Sequence, residues 1–252
     1  IPAVREGVGS VVFNGGLVDV GLESGTIYLA SGRTVQASSG TFGIDVVPGK
    51  PLVGALDIDV SGDAAAILEL ASHDPINVGD HIEFGPADFE GSVSGKIVAD
   101  IPLEAGVERD DLEWMVVLDY RDLTLAKPFH DFRISDARGS ILVEPRRVVI
   151  EAETLLDGVP ASVYLVEPLG DGTDAPIQEI ALRIDDTARD RFAPGLAAFL
   201  SGGASVKMQG GGGARREIGV DLSNSRLSVP WAGWSKGAGI PAKASFTMET
   251  AD

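Results

Sequence analysis

Side chains along much of this chain alternate between apolar and polar, and a period of two marks an extended segment with one wet face. From Ile240 to Glu249, residues Ile240, Ala242, Ala244, Phe246 and Met248 fall on one side, and Pro241, Lys243, Ser245, Thr247 and Glu249 on the other. Val93, Gly95, Ile97, Ala99 and Ile101 alternate with Ser92, Ser94, Lys96 and Asp100, and Trp114, Val116, Leu118 and Tyr120 stand opposite Glu113 and Asp119. Val148, Ile150 and Ala152 oppose Arg147, Val149, Glu151 and Glu153, while Ile218, Val220 and Leu222 oppose Glu217 and Asp221. These are half-buried strands, unlike the apolar runs of a parallel α/β sheet. Roughly 14 to 17 such segments are expected, and the 32 Gly and 14 Pro supply their turns.

Two stretches read as helix. Asp63–Ser72 has Asp63 placed to cap an Ala-rich run, and Thr187–Leu200 is opened by Asp185 and Asp186, with Pro194 bound to kink or split it. Gly25-Thr26-Ile27-Tyr28-Leu29 parallels Gly139-Ser140-Ile141-Leu142-Val143, and Gly158-Val159-Pro160-Ala161 recurs as Gly239-Ile240-Pro241-Ala242, each tetrapeptide expected to open a strand. The reading is one β-rich region over 1–252 with degenerate repeat units 1–100 and 101–252. Its expected architecture is mainly β, an elongated, curled antiparallel sheet shaped like a groove or half-barrel, with two short helices capping or plugging its ends.

A length of 252 residues leaves ample chain for a core. Lys and Arg number 20 against 38 Asp and Glu, and the resulting charge of −18 argues against nucleic acid as a partner. With no Cys there are no disulfides, thiol nucleophiles or thiolate metal sites. Hydrophobic residues make up 44% of the chain, yet no apolar run reaches the roughly 18 to 20 residues of a spanning helix. The chain opens at Ile1 without a charged-then-apolar leader, so it reads as a portion of a larger protein.

Motifs that carry chemistry fare poorly. Gly233-Trp234-Ser235-Lys236-Gly237 has the spacing of a hydrolase nucleophile elbow, but Ile240-Pro241 follows in place of a helix, and His73, His81 and His130 all precede the serine. The expectation there is a turn with a packed Trp. His73, Asp74, Asp80 and His81 could be drawn as a metal site, though Pro75 and Gly79 leave the spacing undefined and a solvated loop is expected. Asp171-Gly172-Thr173-Asp174 lacks the later Glu of a calcium loop and reads as a hairpin tip. Gly210-Gly211-Gly212-Gly213 lacks the Lys of a phosphate loop and reads as a hairpin connection. Asp57 and Asp59 share the solvent side of one strand, where paired acids would serve glycoside chemistry only inside an aromatic-lined cleft; aromatics are 6% of the chain. No catalytic, cofactor or metal residue is expected, and the chain is not expected to be an enzyme.

Leu182-Arg183-Ile184-Asp185-Asp186-Thr187-Ala188-Arg189, Leu200-Ser201-Gly202, Asp157-Gly158-Val159-Pro160-Ala161, and the C-terminal Leu227-Ser228-Val229-Pro230, Gly233-Trp234-Ser235-Lys236 and Ile240 to Phe246 together resemble the AsmA-like, YhdP-like proteins of Gram-negative bacteria. The similarity is clearest from about Gly91 onward, and its motifs are strand starts and turns without catalytic content. The resemblance implies a periplasmic body of repeated β units belonging to a protein anchored in the inner membrane by an N-terminal helix absent from this sequence. It further implies a part in phospholipid transport to the outer membrane or in envelope homeostasis, with phospholipid or another acyl-chain lipid and other envelope proteins as partners.

Exposing a tail of roughly 16 methylenes costs about 0.8 kcal/mol each, on the order of 13 kcal/mol per chain, so carriage demands a continuous dry lane. One aliphatic sheet face supplies such a lane, with Ile97, Ala99, Ile101, Val116, Leu118, Val220, Leu222, Ala244 and Phe246 as its expected lipid-facing residues. Alternation fits equally a closed sandwich in a structural or protein-interaction module that binds no ligand.

Overall fold

The computed structural model describes residues 2–46, 51–73, 78, 82–103, 113–129, 132–169, 175–211 and 215–249. Its strands are β1 (Val4–Asn14), β2 (Leu17–Tyr28), β3 (Thr34–Asp45), β4 (Val53–Asp63), β5 (Phe89–Pro102), β6 (Glu113–Leu125), β7 (Ile134–Glu144), β8 (Arg147–Leu156), β9 (Val159–Pro168), β10 (Ile177–Ile184), β11 (Leu200–Gly202), β12 (Ala204–Gly210), β13 (Arg215–Asp221), β14 (Ser225–Val229), β15 (Trp234–Lys236) and β16 (Lys243–Glu249). The helices are α1 (Ala64–Ala71) and α2 (Asp186–Phe192). The protein is mainly β: one open antiparallel sheet of thirteen strands runs β1 to β10 in order, then β12, β13 and β16. A separate three-stranded sheet has the order β11-β14-β15.

The chain divides into two compact units, Ile1–Val148 and Val149–Asp252. In the first, alternation builds the strands and bulges keep the apolar set on one face. Around β3 the buried positions run Val35, Ala37, Gly40 rather than in strict twos, because Ser39 is held at φ 50 and the register with β4 shifts between Ser38 and Thr41. Asp122, at φ 53, does the same for β6, where the β7 register jumps from Tyr120 to Leu123. An extra residue of this kind restores the pleat phase and bends its strand. α1 follows β4 directly and packs on β3, β4 and β5 with Ala64, Ala65, Ala66 and Ile67 buried. Asp63 sits at the N-cap as expected, but its side chain accepts no capping bond.

In the second unit β8 and β9 meet in an Asp157-Gly158 turn whose two residues have φ 49 and φ 80, the left-handed pair that a two-residue hairpin demands. α2 is capped by Asp185, whose Oδ1 accepts from the Ala188 amide at 2.8 Å. It ends at Phe192, and a 3-10 turn at Pro194–Leu196 follows, so the proline terminates the helix expected to reach Leu200. β16 starts at Lys243, and exposed Ile240 lies before it, so the second copy of the Gly-x-Pro-Ala word does not open a strand as the first does at Val159.

Candidate functional site

Residues directly opposite one another in an antiparallel pair share a face, so the registers trace what each face carries. In the first unit, one row runs Val11, Val20, Phe42, Leu56, Ala99, Trp114 across β1 to β6. A second joins Ile58, Ile97, Val116 and Val143, and a third joins Ala37, Val60, Gly95, Leu118 and Ile141. Glycine makes room on this face: a Cβ on Gly54 would lie 2.5 Å from the Phe42 ring, which occupies the space a side chain at residue 54 would need.

Burial along these rows is graded. Ile27, Val35, Ala37, Val60, Val93 and Tyr120 are buried, as are the alanines of α1, which packs on β3, β4 and β5. Val18, Phe42, Ile44, Leu56, Ala99, Ile101 and Trp114 are only half-buried. The helix end is held by Glu69, which accepts from the Ser31 amide at 3.1 Å and pairs with Arg33 at 3.1 Å. Burial alone would raise the Glu69 carboxyl; the Ser31 hydroxyl and amide and the Arg33 guanidinium together hold it below its ordinary value. Burial pushes the Tyr120 phenol up to about 12.

The second unit repeats the pattern with less burial. One row is Val163, Ile180, Met208, Ile218, Phe246 across β9, β10, β12, β13 and β16; the next is Ala161, Leu182, Val206, Val220, Ala244. Of these ten only Ala161 and Ile218 are buried, and Phe246 is 53% exposed. Packing of a second sheet against this face would bury the whole set; among the described residues no layer closes over it. Its reverse is polar: Tyr164, Glu179, Gln209, Glu217 and Thr247 form one row.

The reverse of the first unit is mixed. Asp19, Asp100 and Glu113 share a row there, beside Val98, Met115, Val117 and Leu142. Asp57 and Asp59 lie on it and share Lys96, whose Nζ is 2.7 Å from Asp57 Oδ1 and 3.8 Å from Asp59 Oδ1. The Asp57 hydrogen bond holds the Lys96 ammonium above its ordinary pKa. All three side chains are substantially exposed, so this is a solvated ion-pair ladder on an open face and not the walls of a cleft.

The nine expected lipid-facing residues fall into two sets, one per unit. Ile97, Ala99, Ile101, Val116 and Leu118 share the apolar face of β5 and β6. Val220, Ala244 and Phe246 share that of β13 and β16, and Leu222 lies one residue past β13, its amide donating to the Ala242 carbonyl at 2.9 Å. Phe42, Trp114, Ile180, Leu182 and Met208 belong to the same rows; the alternation places Trp114 with Val116 and Leu118, and the other four carry the same local signal.

Ser235, in β15, pairs with Ser228 of β14, and Trp234, expected to be packed, is 50% exposed. The buried residue of that motif is Lys236, whose Nζ donates to the Leu222 carbonyl at 2.6 Å and the Ser225 carbonyl at 2.8 Å, at the turn between β13 and β14. His73 is described and Asp74, Asp80, His81 and His130 lie outside the described residues, as do Asp171 to Asp174, Gly212 and Gly213. Among the described residues no cluster of His, Asp and Glu is placed to hold a metal, and no helix is long and apolar enough to cross a membrane.

The words behind the AsmA-like resemblance build β10, α2, β11, the β8–β9 turn, β14, β15 and the approach to β16. No protein-family profile, curated protein or solved structure matches the chain.

Proposed function

We propose that this chain is a periplasmic segment of an AsmA-like bridge-type protein that takes part in phospholipid transport between the inner and outer membranes, acyl chains lying along the apolar sheet face. The observation that carries the reading is the pair of five-strand apolar rows in the second unit, of which eight residues in ten stay at least partly exposed. Two aliphatic rows, bordered on the same face by a row that carries Gln178 and Arg216, suit a chain-shaped ligand held by area better than a small polar one. Such a role is non-enzymatic, with phospholipid as the cargo.

Photo-crosslinking by face tests it. A benzophenone side chain at Ala99 or Met208, on the apolar rows, should label added phospholipid, while the same group at neighbouring Asp100 or Gln209, on the reverse, should label at least about tenfold less. Equal labelling of both faces, or none on either, would overturn the proposal. No labelling with the fold intact would favour the other reading, a β-rich structural or protein-interaction module.

A further inference from the structure

The two end strands of the thirteen-stranded sheet differ in how well they are guarded. Every residue of β1 and of β16 is exposed. β1 breaks its own ladder: its register shifts between Arg5 and Val8 and again between Val8 and Gly9, with Glu6 at φ 54. Bulges of this sort deter pairing with another strand. β16 carries no bulge, its seven pairs with β13 running unbroken from Lys243 opposite Asp221 to Glu249 opposite Arg215.

The sequence of β16, Lys243-Ala244-Ser245-Phe246-Thr247-Met248-Glu249, is complementary to its own reverse. Laid antiparallel on a second copy about a two-fold axis through Phe246, Lys243 meets the other copy's Glu249, Ala244 meets Met248, Ser245 meets Thr247 and Phe246 meets itself. Because Lys243 already faces Asp221 and Glu249 faces Arg215 within each copy, the junction reads Asp221, Lys243, then the other copy's Glu249 and Arg215. Charge alternates in sign along that row, and its symmetry mate repeats it. A two-fold normal to the sheet leaves the apolar rows of both copies on the same side.

We propose that this chain forms a two-fold homodimer by antiparallel β16–β16 addition, in register about Phe246 and held at each end by a Lys243–Glu249 pair. The junction needs only the edge of β16 and holds whether or not the face carries lipid.

Charge exchange tests it. Sedimentation over a concentration series should show a dimer for the unchanged chain. Lys243→Glu sets Glu against Glu across the axis and Glu249→Lys sets Lys against Lys, so each variant alone should have its dissociation constant raised at least about tenfold. Mixing the two should restore dimers, because the mixed pair regains both opposite-charge contacts while every contact within each copy stays altered. A chain monomeric at all concentrations, a dimer indifferent to both substitutions, or variants that stay apart on mixing would each overturn the proposal. Hydrogen exchange of the unchanged chain gives a check without substitution. The alternate amides of Lys243 to Glu249 that point away from β13 should gain protection as the dimer population rises, and unchanged protection in a dimeric sample would refute β16 as the junction.

Discussion

The two helices occupy comparable places in the chain, each following a strand of the large sheet, yet they act by opposite means. α1 is an apolar wedge: Ala64, Ala65, Ala66 and Ile67 are buried where it packs on β3, β4 and β5, strands that hold the buried Val35, Ala37, Val60 and Val93. α2 is a charged clasp. Its Arg189 is buried, pairs with Asp186 and with Asp190 at 2.6 Å, and donates to the Leu200 carbonyl at 2.6 Å, tying the helix to β11. The wedge removes apolar surface from water, whereas the clasp satisfies polar groups and covers little of the sheet. Sheet residues therefore reach full burial beside α1 and largely stay half-buried in the second unit, so the extent of dry surface depends on what the helix carries and not on its position.

The strongest way to break that contrast is a charge in the wedge. Ala66 is 1% exposed, and Ala66→Glu should cost about 3 to 5 kcal/mol in the first unit by burying an unpaired carboxylate. Urea unfolding followed through Trp114 should show the loss, with little change in a signal from Trp231 and Trp234 of the second unit.

Arg189→Met tests the clasp. It leaves Asp186 and the Leu200 carbonyl without the guanidinium and should cost about 1 to 3 kcal/mol, confined to the second unit. Lys236→Met, which removes the ammonium from the Leu222 and Ser225 carbonyls and leaves Leu222 only its bond from the Ser225 amide, should act there with similar size.

Acid sharpens the comparison. The Lys127 hydrogen bond holds Asp88 below its ordinary value, and Glu69 is held low as well, both in the first unit; in the second, the Ser223 hydroxyl and amide hold Asp221 low. A carboxyl depressed in the folded state adds stability that is present above its unfolded value, about 4, and is lost as pH falls through the folded one. Both units should weaken in acid below about pH 4, and Glu69→Gln should flatten the first unit's slope of stability against pH.

The smallest effect belongs to the guarded edge. Phe13 is 76% exposed on β1, so Phe13→Ser should move stability by less than about 0.5 kcal/mol in thermal unfolding.

Strand identity was largely legible, since Val93 to Ile101, Trp114 to Tyr120 and Ile218 to Val220 alternate without interruption. The phase slips at Ser39 and Asp122 were not: a bulge leaves no mark in a binary pattern when the extra residue is an ordinary polar one. Nor was the route of the C-terminal chain. Order along the sequence favours β13 pairing with β14, but β14 joins β11 and β15, and β16 returns to β13. The burial of Lys236 leaves no signal in the turn expected over Gly233 to Gly237, because an ammonium is buried only where carbonyls from residues 222 to 225 converge on it.

By itself, then, the order of residues determined that the chain is extended, antiparallel and one-sided, because alternation is a local property of successive side chains on a pleated backbone. Only the tertiary structure decided which stretches of that side are sealed, by α1, and which remain half-buried, as in the second unit. Covering a face requires another element to reach it across space, and no local pattern records where that element lands.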